Sequence, residues 1–152
     1  MQRIGRPRAE AGRGRAAALV IIRIGAGIVI FFFGFSKIAW ILDSVSLASQ
    51  LSDWLVDAPA ASRWYVERVL PGAPVFARVV PVGAMFGGLA LVLGCWTRIA
   101  AGLSLIVILS IHVADGSIFR YHYLTDPGRV TLVAALLGLM AGGARLPFSL
   151  RA

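Results

Sequence analysis

The sequence predicts an all-α membrane protein, a four-transmembrane-helix bundle with one or two amphipathic interfacial helices between the first and second spans. Three observations predict it. Of 152 residues, 59% are hydrophobic and only 14% charged, with a mean hydropathy of +0.82. A soluble domain carries roughly 25% charged residues, so the surplus apolar surface has to face lipid. The apolar residues gather in four runs. The stretch between the first two runs, residues 43–78, is too polar to span a membrane and too apolar for a free loop.

The first span is expected over about residues 16–38. Its core, AAALVIIRIGAGIVIFFFGF, occupies residues 16–35. Twenty residues at about 1.5 Å each match a hydrocarbon core about 30 Å thick. Arg3, Arg6, Arg8, Arg13 and Arg15 precede it, so residues 1–15 read as a basic cytoplasmic tail. A basic start before an apolar run also resembles a signal peptide. The run is longer than the usual 7–15 residues, and no clear A-x-A site follows, so an uncleaved span is expected.

The second span is expected at 79–96, with Pro81 near its start, where proline does little harm. The third falls at 98–115 and the fourth at 128–145, opened by Gly128 and closed by Arg145. These last two are short, and snorkelling Arg98, Arg129 and Arg145 would complete them. Only WTR separates the second and third runs, which therefore form an antiparallel hairpin. Both termini then lie on one side. That side holds eight basic residues: the five of the tail, Arg98, Arg145 and Arg151. The other side holds Lys37, Arg63, Arg68, Arg78, Arg120 and Arg129, offset by six acids. The positive-inside rule puts both termini in the cytoplasm, with the spans expected in the plasma (inner) membrane.

Within 45–58, Leu47, Leu51, Trp54, Leu55 and Ala58 share one helical face, and Ser46, Gln50, Asp53 and Asp57 take the other. A second short helix is expected to start at a Ser62 cap and to end before Pro71. Trp54, Trp64 and Tyr65 suit the membrane interface. Capping the bundle is the simpler role for this layer; a substrate lid is the alternative. Gly83 with Gly87, and Gly138 with Gly142, form GxxxG pairs, a face continued by Gly94. Internal packing is expected of them rather than dimerisation.

Several functions are disfavoured. The net charge of +8 comes from 14 Arg and one Lys against seven acids. Five of the arginines make a flank to the first span, so nucleic-acid binding is not expected. One cysteine, Cys95, allows no internal disulfide framework and no CxxC. No metal-spaced cluster, nucleotide loop or haem CxxCH is present.

The chemistry concentrates in HVADGSIFRYHYLTD, residues 112–126. His112 and Asp115 lie three apart and share a face at the end of the third helix. Arg120, His122 and Tyr123 follow in the loop, and Asp126 precedes Pro127 as an N-cap candidate. Every helical hairpin in a membrane needs a wet turn, which is the plain reading. The functional reading is a proton or quinone site, because histidine titrates near neutral pH. His112, Asp115 and His122 are then the catalytic candidates, and Tyr123 a quinone contact. Arg23, about 10 Å deep in the first span, is the other quinone-contact candidate. An ionisable group inside a membrane is functional by default, and snorkelling to the headgroups is its alternative. Lys37 reads as an anchor, and Cys95 has no partner for redox work.

Three stretches resemble the DoxX/DoxD-like membrane proteins. IIRIGAGIVIFFFGFSKI (21–38) has an arginine in the first helix, spaced glycines and then Gly-x-x-Lys. GGLALVLGCWTRIAAGLSL (87–105) is similar to a glycine-rich helix ending in Gly-x-x-Thr-Arg, and AGGARLPFSL (141–150) to the family's C-terminal end. The resemblance covers most of residues 19–150 and implies a DoxX-like membrane domain over 16–150. It implies association with oxidoreductases, some members being the small subunit of a membrane thiosulfate:quinone oxidoreductase. Members often carry a glutamate in the second helix where this chain has Ala84. The expected function is thus an accessory or small membrane subunit of a quinone-linked oxidoreductase. It would anchor a protein partner in the lipid bilayer and contribute to a quinone pocket. The alternative is a non-catalytic scaffold subunit of a larger membrane complex. Whether the chain is an enzyme is left open. A transporter is disfavoured by the few intramembrane polar groups and the lack of a repeat.

Overall fold

The computed structural model describes residues 6–142. Among the described residues the chain is helical, with no strand. Helix α1 runs Arg6–Ser36, followed by three short helices: α2 (Ala39–Leu42), α3 (Ser44–Val56) and α4 (Ala60–Val69). Then come α5 (Ala73–Leu93), α6 (Thr97–Ala114), α7 (His122–Thr125) and α8 (Pro127–Gly142). The apolar part of α1, α5 and α6 are long and apolar enough to cross a membrane, and α8 is a shorter apolar helix. The basic stretch from Arg6 is helical and continuous with the first span. Its one proline, Pro7, falls in the first turn, where proline is tolerated. Arg145 and the end of the expected fourth span lie outside the described residues.

Close approaches fix the order of the bundle. A Cβ on Gly27 would meet Gly88 and Val92, and one on Gly34 would meet Pro81, Ala84 and Met85. Numbers rise along α1 as they fall along α5, so the two are antiparallel. Gly87 faces Ser104 of α6, Gly102 of α6 faces Met140 of α8, and Gly142 faces Leu19 of α1. The result is an up-down-up-down bundle. Its basal end carries the 94–96 turn, and its rim end carries α2–α4 and residues 115–126. The spans meet around Ala26, Ile30, Ala84, Leu91, Ala101, Leu105, Leu136 and Leu139. Their outer faces expose Ile21, Phe32, Phe86, Leu103 and Ile106, as lipid-facing helices do.

The basal turn is tight. Gly94 has φ 77° and Trp96 φ 44°, both left-handed. Arg98, expected to snorkel, instead donates from Nε to the Met140 carbonyl (2.9 Å) and from Nη2 to that of Ala141 (2.9 Å). Carbonyls near a helix C-terminus lack intrahelical partners, and a guanidinium satisfies two at once.

At the rim, Asp43 caps α3 by accepting from the Val45 N–H at 3.0 Å. The expected face of α3 is the buried one: Leu47 and Leu51 are buried, Trp54 and Leu55 half-buried. With Trp40, Val66, Ala73, Ala77 and Ala114 they form a second apolar cluster. This layer therefore caps the bundle. Lys37 lies over Trp40 with its Nζ 4.7 Å from the ring centre.

Three expectations are corrected. The second span begins at Ala73, six residues earlier than 79, because Pro74 occupies its first turn. Pro81 is therefore interior and buried. Ser62 is not a cap: α4 starts at Ala60 after Pro59, and Ser62 lies buried within it. Its hydroxyl donates to the Val113 carbonyl at 2.7 Å, tying the rim layer to the end of α6. The GxxxG pairs do not act as units. Gly87 packs on α6 while Gly83 meets nothing within 4 Å; Gly142 meets Leu19 while Gly138 meets nothing. Four residues cover about 400° of helix, so a pair drifts off one face.

Candidate functional site

The buried face of α6 includes Thr97, Ala101, Ser104, Ile108 and His112. These follow one another at steps of three or four, the helical period. At its rim end Asp115 terminates the helix and Gly116 turns the chain with φ 70°. Asp115 Oδ1 then accepts from the Ser117 N–H at 2.8 Å. A 3₁₀ turn (Ser117–Phe119) and α7 carry the chain to Asp126. Asp126 is the N-cap of α8, accepting from the N–H groups of Gly128 (3.0 Å) and Arg129 (3.3 Å), with Pro127 opening the helix.

Two short routes thus return to one place. His112 Nδ1 and the Tyr123 hydroxyl share a hydrogen bond of 3.1 Å, with the rings edge to face at 5.2 Å. Arg129 bridges both carboxylates, Nη1 to Asp115 at 3.3 Å and Nε to Asp126 at 3.0 Å. Asp115, Ser117, Arg120, His122, Tyr123 and Arg129 line a cavity of about 190 Å³. Arg120 also donates from Nη2 to the Asp57 carbonyl at 3.1 Å, so one wall is tied to the rim layer.

Burial raises the Tyr123 hydroxyl above its ordinary value, so it is protonated at neutral pH. The Tyr123 O–H donates to His112 Nδ1 when that nitrogen carries no proton, and the Tyr123 oxygen accepts when Nδ1 carries it. Asp126 is held below the usual carboxylate value, first by the backbone N–H of Arg129, against an opposing push from burial. The Gly128 N–H and the Arg129 guanidinium add to the lowering. A depressed folded-state pKa stabilises the fold above the unfolded value, about pH 4, and that contribution is lost as pH falls through the lower folded value. Asp126→Ala is thus expected to lower the thermal midpoint at pH 7, with the gap to the wild type closing below about pH 4. A gap that stays constant down to pH 3 would contradict this.

The structure gathers His112, Asp115 and Tyr123, and places His122 on the cavity wall, exposed, with Nδ1 3.3 Å from Thr125 Oγ1. It does not bring Arg23 to them. Arg23 lies one turn basal of Gly27, which meets Gly88 and Val92. Counting helical rise, it stands roughly 20 Å from the level of His112. Arg23 is 2% exposed and so faces the bundle interior rather than the lipid. It is not without an interaction. Sequence reasoning treated Arg129 as a membrane anchor and missed its bridging role. The signal was present: Arg129 follows Asp126 by three on the same helix start. Among the described residues no metal-binding cluster is found.

Three long apolar helices and a shorter one, capped by a half-polar rim layer, define a small helical integral membrane protein. The DoxX family model matches residues 18–114, and the chain belongs to the DoxX family. Comparison with curated proteins and with solved structures finds no match. The matched stretch covers the first three spans and the rim layer and stops before the 115–126 connection. Ala84 is fully buried against Gly34 of α1. A glutamate there would have no room at this helix separation, which fits the departure already noted.

Proposed function

We propose that the chain is a small membrane subunit of a quinone-linked oxidoreductase, with its rim cavity receiving the quinone head. The observation that supports this reading is the His112–Tyr123 hydrogen bond beside a polar cavity at the end of an apolar bundle. Converting a quinone to a quinol takes two electrons and two protons. His112 and Tyr123 suit the proton part, and a partner subunit's redox centre would supply the electrons. Asp115 and Arg129 hold the cavity in shape. His122, on the exposed wall, suits proton exchange with water. In this reading the termini are cytoplasmic, the membrane is the bacterial inner membrane, and Arg23 is structural. A scaffold role is the second reading, favoured by exposed Phe119, Tyr121 and Leu124 around the same rim, which suit a docking partner.

The test is purification in mild detergent from the protein's own membranes, with co-purifying proteins and lipids identified by mass spectrometry. A stoichiometric oxidoreductase with bound quinone is expected. His112→Phe and Tyr123→Phe should then lower quinone turnover by about 10²-fold or more while leaving assembly intact. A complex without quinone, or turnover unchanged in both variants, would leave the scaffold reading.

A further inference from the structure

Two cavities flank the first turn of α8. One is the polar cavity. The other is an apolar cleft of about 570 Å³ between α1 and α8, walled by Ile22, Gly25, Val29, Gly128, Leu132 and Ala135 among others. The two helices come close at the basal end, where a Cβ on Gly142 would lie 3.3 Å from Leu19. Toward the rim none of the described residues fills the space between them, and a Cβ on Gly25 would meet nothing within 4 Å. Gly128 lines the cleft and Arg129, the next residue, lines the polar cavity.

The polar cavity alone, at about 190 Å³, is below the roughly 300–1,000 Å³ of ordinary small-molecule sites. The cleft supplies volume but almost no polar group. Together they match a ligand with a small polar head and a long apolar chain. Charge selects the head. Around the cavity the carboxylates of Asp115 and Asp126 cancel the guanidiniums of Arg120 and Arg129, and Arg129 is held by both acids. A phosphate would meet the Asp115 carboxylate there, and an Arg129 already paired with both acids. A neutral head with carbonyl or hydroxyl oxygens meets Tyr123 and Ser117 instead.

We propose that the α1–α8 cleft seats the hydrocarbon tail of an uncharged amphiphile that enters sideways from the bilayer and places its head in the polar cavity. This rests on the quinone reading above and makes the occupant a tailed membrane quinone rather than a phospholipid. Backbone polar groups need not be satisfied by the tail, because both walls are helices whose bonds are internal.

The test uses the full chain in phospholipid nanodiscs with a photoreactive long-chain benzoquinone and the same head without its tail. Gly25→Leu puts a side chain into the cleft from a position where its Cβ meets nothing within 4 Å. Gly83→Leu, at an equally open position on α5 outside the cleft, is the control. The long-chain probe is expected to label α1 and α8 along the cleft in the wild type and in Gly83→Leu. Labelling should fall about tenfold in Gly25→Leu, the size expected when roughly five chain carbons lose their contacts. The tail-less head should bind all three alike. Long-chain quinone that binds at the rim and is retained equally by Gly25→Leu would overturn the cleft proposal and leave the quinone reading standing. A photoreactive phospholipid that occupies the cleft and is not displaced by quinone would overturn both. A crosslink from the cleft to a helix of a second copy or of another protein would also overturn the proposal, by making the cleft a packing face.

Discussion

Gly88→Leu is expected to separate α1 from α5 and to leave the protein unable to hold its bundle in detergent. A Cβ at position 88 would lie 2.5 Å from the Phe31 nitrogen and 2.6 Å from the Gly27 carbonyl oxygen. Both are backbone atoms of a helix, so no side chain can swing aside. Helices in lipid gain nothing from hydrophobicity between them and depend on close packing. Even Gly88→Ala should cost about 1–3 kcal/mol, the usual range for overpacking, and leucine more. Gly34 is as tightly placed, with the Pro81 carbonyl at 2.7 Å and the Met85 nitrogen at 2.8 Å from its would-be Cβ. Gly138→Leu, at an open position, should be neutral. Thermal aggregation midpoints in one detergent would compare the three. Equal midpoints for Gly88→Leu and Gly138→Leu would refute the packing argument.

The second large effect is expected from Gly116→Val. Gly116 has φ 70°, a conformation that costs a residue with a Cβ about 1–2 kcal/mol, and more when the side chain is β-branched. Its Cβ would also meet Pro59 Cδ at 2.9 Å and the Ser62 Oγ at 3.1 Å. Pro59 and Ser62 belong to the start of α4, so the substitution pushes the rim layer off the end of α6. The combined loss should be about 2–4 kcal/mol. Amide hydrogen exchange should accelerate across residues 44–69 and change little within the four spans. Exchange that rises uniformly, or not at all, would show that Gly116 does not hold the rim layer.

The four runs and the buried face of α3 were readable because lipid-facing length and helical periodicity are properties of single segments. The reversal between α5 and α6 was readable because three residues leave two helices no choice but to reverse, but it falls at 94–96 rather than on WTR (96–98), because Gly94 ends α5 and Thr97 already belongs to α6. The α1–α5 contact was missed for a geometric reason. It rests on Gly27 and Gly34, seven apart and so on one face after two turns, with Gly27 meeting Gly88 and Gly34 meeting the Pro81–Met85 turn of the same neighbouring helix. The glycines four apart, Gly83 and Gly87, face different surroundings: Gly87 meets Ser104 and Gly83 meets nothing within 4 Å. The start of α5 lies earlier than the sequence pattern predicts because Pro74, not Pro81, is its N-terminal proline. Of the candidate site, the run 112–126 marked His112, Asp115 and Tyr123 correctly as neighbours, since a short connection must fold back on itself. The Arg129 bridge to Asp115 and the tie from Ser62 to Val113 join residues 14 and 51 apart. Such partners depend on how whole helices dock, and no local pattern encodes them.

The rim layer has a consequence for how the chain is made. Its polar ties, Ser62 to the Val113 carbonyl and Arg120 to the Asp57 carbonyl, both end on residues 113–120. The Pro59–Gly116 contact ends there too. During synthesis, α3 and α4 emerge about 50 residues before the surface that receives them. At roughly 5–20 residues per second, they wait about 3–10 s with one apolar face uncovered. The interfacial tryptophans give them a place to wait, lying on the membrane until the third span has been inserted and its far end turns to meet them.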